Sequence, residues 1–211
     1  MNVMVRRGLR IVCALLMLAI LHAEAWAQAR AKPEGPPAST GGPVARVREI
    51  TGVGPRYMVK TPEYTTSLSR GKASPRDWAE LSVVYDTEPE WVDELTFQYY
   101  TLLFDKKKGD YSLFKGTVTY VDIPKGRNHA STMYLRPVAL TRYGEVTAMA
   151  VEIIYKGEVI DTKTDERMIK GAKLAKEWWK SPQLAVKEGY VLNRAQTPFA
   201  LVNYDDYETI K

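Results

Sequence analysis

Residues 94–105 read ELTFQYYTLLFD, and this stretch decides the fold. In an extended chain successive side chains point to opposite faces, so Leu95, Phe97, Tyr99 and Leu103 share one side. Tyr100, Leu102 and Phe104 make the other side apolar as well. A strand of that kind sits centrally in a sheet and is covered on both faces.

Working outward, AELSVVYD (79–86) precedes it, and YSLFKGTVTYVDI (111–123) follows across the turn-forming DKKKGD. Next come STMYLRPVALTR (131–142) and EVTAMAVEIIY (145–155), separated by Tyr143-Gly144, and then EVIDTK (158–163) beyond Lys156-Gly157. Short strands at regular spacing predict an antiparallel sandwich or barrel rather than alternating strands and helices. Upstream, VARVREI (44–50) runs into Gly52, Gly54 and Pro55 before RYMVKTPEY (56–64). Glycine and proline at that point mark a kink that lets a first strand leave one sheet and join the other. No helical pattern follows Gly52-x-Gly54, so it is not a nucleotide-binding loop. TPFALVNYDDYETIK (197–211) reads as a final strand pairing back into the sheet.

One helix is expected near the C-terminus, in TKTDERMIKGAKLAKEWWKSP (162–182). Thr162 and Asp165 offer a capping box, Met168, Ala172, Ala175 and Trp179 form a stripe, and Ser181-Pro182 ends it.

The first residues decide the address. Arg6, Arg7 and Arg10 precede an apolar run from Ile11 to Leu21, and Ala25-Trp26-Ala27 forms a small-residue exit. That is the layout of a secretory signal over residues 1–27. The run is too short to cross a bilayer as a helix, so no retained transmembrane helix is expected. Arg7-Gly8 faintly resembles a type IV prepilin cleavage site, but the glutamate that family carries at the fifth position, counting from Leu9, is Cys13 here. Residues 28–43, rich in Pro and Gly, read as a flexible linker, which leaves 44–211 as one sandwich domain.

The chain of 211 residues has 30 basic and 25 acidic side chains, a net charge of +5. Without its first 27 residues it loses three arginines, one glutamate and its only cysteine, leaving +3 and no thiol. No basic stripe suits nucleic acid. The one basic run, Lys106-Lys107-Lys108, reads as a solvated hairpin tip, with an anionic membrane or sulfated glycan as the functional alternative.

Catalytic chemistry is thin. His129, inside PKGRNHAST (124–132), is the one histidine left after the leader, and a nucleophile would have to be Ser131, without any G-x-S-x-G elbow. DTEPEWVDE (86–94) offers Asp86, Glu88, Glu90, Asp93 and Glu94 as paired carboxylates, which a glycosidase would need to place across a cleft. Calcium is conceivable at Asp205, Asp206 and Glu208, or at Asp161, Asp165 and Glu166, yet neither set has the twelve-residue loop spacing. The expectation is therefore no catalytic residue, no metal and no cofactor. Exposed indoles stack on sugars or anchor protein partners. Of the adjacent Trp178 and Trp179, one is expected to pack on the sandwich and the other to be exposed as the binding residue.

With its leader, its linker, its opening GVGPRYMVKTPEY (52–64) and its close RAQTPFALVNYDDYE (194–208), the chain resembles the pilus-like β-sandwich proteins encoded in type IV pilus-like gene clusters of Verrucomicrobia. The resemblance implies a mainly β, immunoglobulin-like antiparallel sandwich in the outer envelope. It brings no catalytic residues, and it implies contacts with other envelope or pilus-cluster proteins or with a host surface. A carbohydrate-binding module using Trp178 or Trp179 is the alternative.

Overall fold

The structure is a computed structural model and describes residues 43–63, 74–166 and 174–211. The leader, nearly all of the linker, and Met168, Gly171 and Ala172 of the expected helix lie outside the described residues.

Elements run in the order β1 (Ala45–Thr51), β2 (Met58–Lys60), β3 (Asp77–Asp105), β4 (Asp110–Leu135), α1 (Pro137–Tyr143), β5 (Glu145–Tyr155), β6 (Glu158–Glu166), β7 (Val186–Lys187), β8 (Val191–Asn193) and β9 (Thr209–Ile210). The main ladder is β6-β5-β3-β4-β7, with β1 and β2 on β3 and with β8 and β9 on β4. All pairings except β4 with β7 are antiparallel.

The strand candidates 79–86 and 94–105 are one 29-residue strand. Straight, it would span roughly 95 Å at about 3.3 Å per residue, far more than a domain with a radius of gyration of about 15 Å can hold. It bends instead. The β3–β4 register shifts between Tyr85 and Thr87 and again between Thr87 and Trp91, so Pro89 falls where the ladder is interrupted and its missing N–H costs no rung. On β4 the bend carries Asn128 at φ 63°, a conformation asparagine tolerates better than most residues. The Asn128 N–H donates to the Asp86 carboxylate at 3.0 Å.

The bend folds the hairpin over itself. Tyr85 and Phe97 belong to the same strand, yet their ring centroids are 4.8 Å apart. One layer is therefore β1, β2, the first half of β3, the end of β4 and β8. The other is the rest of β3, the start of β4, β5 and β6. Leu95, Phe97, Tyr99 and Leu103 point into the shared core with Leu81, Val83, Tyr120 and Ile123, all essentially inaccessible. The mainly β sandwich is the expected fold. On the open side the Val47 N–H of β1 donates to the Asp161 carboxylate of β6 at 2.7 Å, a side chain taking the place of a ladder partner.

Two expected elements differ in the structure. Among the described residues the α-helix is α1, and residues 167–173, the middle of the helix expected near the C-terminus, lie outside them. Pro137 occupies the first turn of α1, where a missing N–H is harmless, and Gly144 ends it at φ 92°. At the expected site, Thr162–Glu166 continues β6 and Trp178–Lys180 forms one 3-10 turn. The span 197–211 is turns with a single two-residue strand, β9. Phe199 in this span plugs the outer face of the first layer, stacking on Tyr134 at 4.1 Å and meeting Trp78 edge-on at 5.7 Å.

Candidate functional site

Neither Trp178 nor Trp179 is exposed; 3% and 6% of their surfaces are accessible. They pack edge-to-face on the outer side of the second layer against Leu102, Leu113, Ala148 and Ala150. This is the cover that the second apolar face of 94–105 requires. Trp179 Nε1–H donates to Glu152 at 3.0 Å, and Trp178 Nε1–H donates to Glu166 at 3.1 Å. Glu152 is nearly buried and is neutralised by Lys180 Nζ at 3.1 Å. The expectation of one free indole is corrected: a sugar-stacking platform is not available at this position.

His129 is equally occupied. Its Nδ1 lies 2.8 Å from Glu208 and its Nε2 lies 3.2 Å from the Thr87 hydroxyl. That hydroxyl donates its own proton to the Pro124 carbonyl and accepts the Gly126 N–H, so the imidazole has no free nitrogen to act as a base. Its ring lies on Tyr85 at 5.2 Å. Ser131 is fully buried, and its hydroxyl accepts from the Tyr99 phenol at 2.6 Å. The pair joins the layers at the bend instead of forming a nucleophile and base.

The carboxylates are dispersed in the same way. Asp161 serves Val47, Glu166 serves Trp178 and Glu208 serves His129. Burial raises the Asp165 carboxyl above its ordinary range, although it accepts the Val53 N–H and faces Arg56. Among the described residues, no group of three His, Cys, Asp or Glu side chains could hold a metal ion. Likewise, no described helix is long and apolar enough to cross a membrane.

The two ends of the second layer carry polar surface of opposite character. At the turn end, Phe104, Asp105, Lys106, Lys107, Lys108, Thr141, Arg142, Gly144 and Glu145 line a groove of about 520 Å³ between the hairpin tip and α1. Lys106 pairs with Glu145 at 2.6 Å and Lys108 with Asp105 at 3.2 Å. The Lys107 N–H is the first of several donors that hold the Asp105 carboxyl below its usual range. Among the described residues, the Lys107 and Arg142 side chains make no ion pair. At the bend end, Trp91 stands 62% exposed between Glu90 and Asp93. Glu88 there pairs with Lys125, and Glu94 with Lys211. Among the described residues Glu90 and Asp93 make no ion pair. Sequence alone does not separate exposed Trp91 from buried Trp78, since both stand beside carboxylates, Glu90 and Asp93 in one case and Asp77 and Glu80 in the other.

A protein-family model matches residues 49–211. The chain belongs to that family. The match begins inside β1 and reaches the last residue, so it takes in the bend, both layers and both ends. Among solved structures the chain is similar to a crystal structure from Akkermansia muciniphila at 26% identity, with a TM-score of 0.64 over 82% of this chain and 97% of that one. No curated protein matches the sequence.

Proposed function

We propose that this chain is an exported, non-enzymatic, pilus-like envelope protein whose sandwich makes protein–protein contacts in a pilus-associated assembly or with a host surface. Residues 1–27 are its removable signal, 28–43 its linker and 44–211 its folded domain, placed in the periplasm, the outer membrane or at the cell surface. One observation carries the reading: the groups that could have formed an active site are spent on structure. His129, Ser131, Glu152 and Glu166 hold the layers and their covering segments together, while the surplus chemistry lies on the surface as charge and one indole. Its family and its likeness to the A. muciniphila structure support the pilus-like part.

The test is the N-terminal residue and intact mass of the protein from its native envelope fraction, together with the proteins cross-linked to it. A start at Gln28 with envelope partners supports the reading. Full-length protein confined to the cytoplasm overturns it, and a start at Leu9 would make the apolar segment a retained helix.

A further inference from the structure

The two ends of the second layer are unlike and complementary. Asp93 and Asp105 bound the half of β3 that separates them, a rise of about 40 Å at about 3.3 Å per residue. One end presents an exposed indole between two carboxylates that no described cation pairs. The other presents a groove lined by Phe104 among others, with two cations, Lys107 and Arg142, that no described carboxylate pairs, the Arg142 guanidinium lying over the Tyr143 ring at 5.2 Å. Trp91 belongs to none of the hydrophobic clusters of its own molecule. A tryptophan bears its energy when it enters a desolvated pocket, and cations gain from its ring face. The aliphatic stems of the lysines supply apolar walls for it.

We propose that the protein binds a second copy of itself end to end, Trp91 of one copy entering the groove beside α1 of the next, with Glu90 and Asp93 against Lys107 and Arg142. The occupant is a copy of this chain because the charges are equal in number and opposite in sign, and because the indole missing from one end is present on the other. Such a contact joins two different surfaces. It is therefore heterologous and leaves a free bend and a free groove at the ends of every oligomer, which permits open linear growth. The inference deepens the reading above and rests on it for the protein–protein role of the surface.

The test uses the full chain, expressed with its own leader and purified in the form the cell yields, followed by sedimentation velocity over a concentration series. The expected result is a ladder of oligomers at low ionic strength that dissolves at about 1 M salt, where screening shortens to about 3 Å. A bend variant, Trp91→Ala with Glu90→Lys and Asp93→Lys, and a groove variant, Lys107→Glu with Arg142→Glu, should each be monomeric, at least about tenfold weaker in self-association. Both should melt near the wild type, since the substituted side chains are exposed. Mixed in equal amounts, they should form a dimer and nothing larger, because each retains the one surface the other lacks. A wild type that is monomeric at low salt, a bend variant that still forms the ladder, or a mixture that stays monomeric would each overturn the proposal. So would a groove that captures sulfated glycan or anionic vesicles while the protein remains monomeric. A monomer that still cross-links to envelope proteins defeats self-association alone, whereas a protein confined to the cytoplasm defeats the functional reading whatever the oligomers show.

Discussion

Two buried tyrosines one layer apart should respond in opposite ways to the loss of their hydroxyls. Tyr99 donates to the Ser131 hydroxyl at 2.6 Å and lies 2.9 Å from the Ser131 carbonyl, and the same serine also bonds Tyr120. Tyr85 is just as inaccessible, but its hydroxyl has no hydrogen-bond partner among the described residues. Burial is the first cause raising both phenols above their ordinary range. A buried hydroxyl without a partner costs about 1–3 kcal/mol relative to water, whereas a satisfied one contributes about 1 kcal/mol net and strands its partner when removed. Both rings stay packed when tyrosine becomes phenylalanine, so the difference isolates the hydroxyl. Tyr85→Phe should stabilise the fold by about 1 kcal/mol, and Tyr99→Phe should destabilise it by about 1–3 kcal/mol. For a domain of this size 1 kcal/mol moves Tm by about 2–4 °C, well within calorimetric resolution. A fall in Tm for Tyr85→Phe comparable to that for Tyr99→Phe would refute the reasoning, because it would mean that the Tyr85 hydroxyl is as well bonded as its neighbour.

Other expectations concern the groove, the outer cover and the turn. Gly144→Ala forces a residue with a Cβ into φ 92° and ψ −150°, and that Cβ would collide with the Phe104 carbonyl. The backbone alone costs about 1–3 kcal/mol, so Tm should fall, and an unchanged Tm would show that α1 can shift. Trp179→Ala removes a buried indole and one of the donors to Glu152, and should cost about 3–5 kcal/mol in urea unfolding. Trp91→Ala should stay within about 0.5 kcal/mol of wild type, and equal losses would contradict the burial assigned to the two indoles. The lowered Asp105 carboxyl gives the turn stability that is full above the unfolded value near about pH 4 and lost as pH falls through the lower folded value. Amide exchange at Lys107 and Lys108, whose N–H groups donate to it, should therefore accelerate relative to the ladder below about pH 4. No such change would separate the turn from that carboxylate.

The sandwich was legible because Leu95, Phe97, Tyr99 and Leu103 share one face, with Thr101 as the polar member of that row, and burial follows the alternation from Leu95 to Tyr100 before both faces are buried at Leu102 and Leu103. Even the second cover was implied, since Leu102 could not be left in water. What covers it was misjudged: Trp178 and Trp179 look like ligand-facing aromatics because their packing partners, Ala148 and Ala150, lie on a distant strand that local pattern does not reveal. The bend was hidden for a similar reason. DTEPEWVDE has the composition of a loop, and only the matched interruption on β4 shows that the strand passes through it. The α1 helix carried a usable signal, Pro137 at its start and Gly144 just past its end, but Val138, Ala139 and Leu140 continue the apolar run of β4 and mask it. His129 and Ser131 lie two apart as a dyad would, yet tertiary partners decided their role.

The crease in the β3–β4 ribbon also bears on how the chain finds its fold. Sandwiches assembled from separate sheets must close long loops before any core contact forms, at an entropic cost that grows with loop length. Here the first closure spans only the residues between Asp105 and Asp110, and each further rung is laid beside one already in place. The two layers are then halves of a single zipped ribbon, brought face to face by a hinge at Asp86–Trp91, onto which β1, β5 and β8 dock to complete the core.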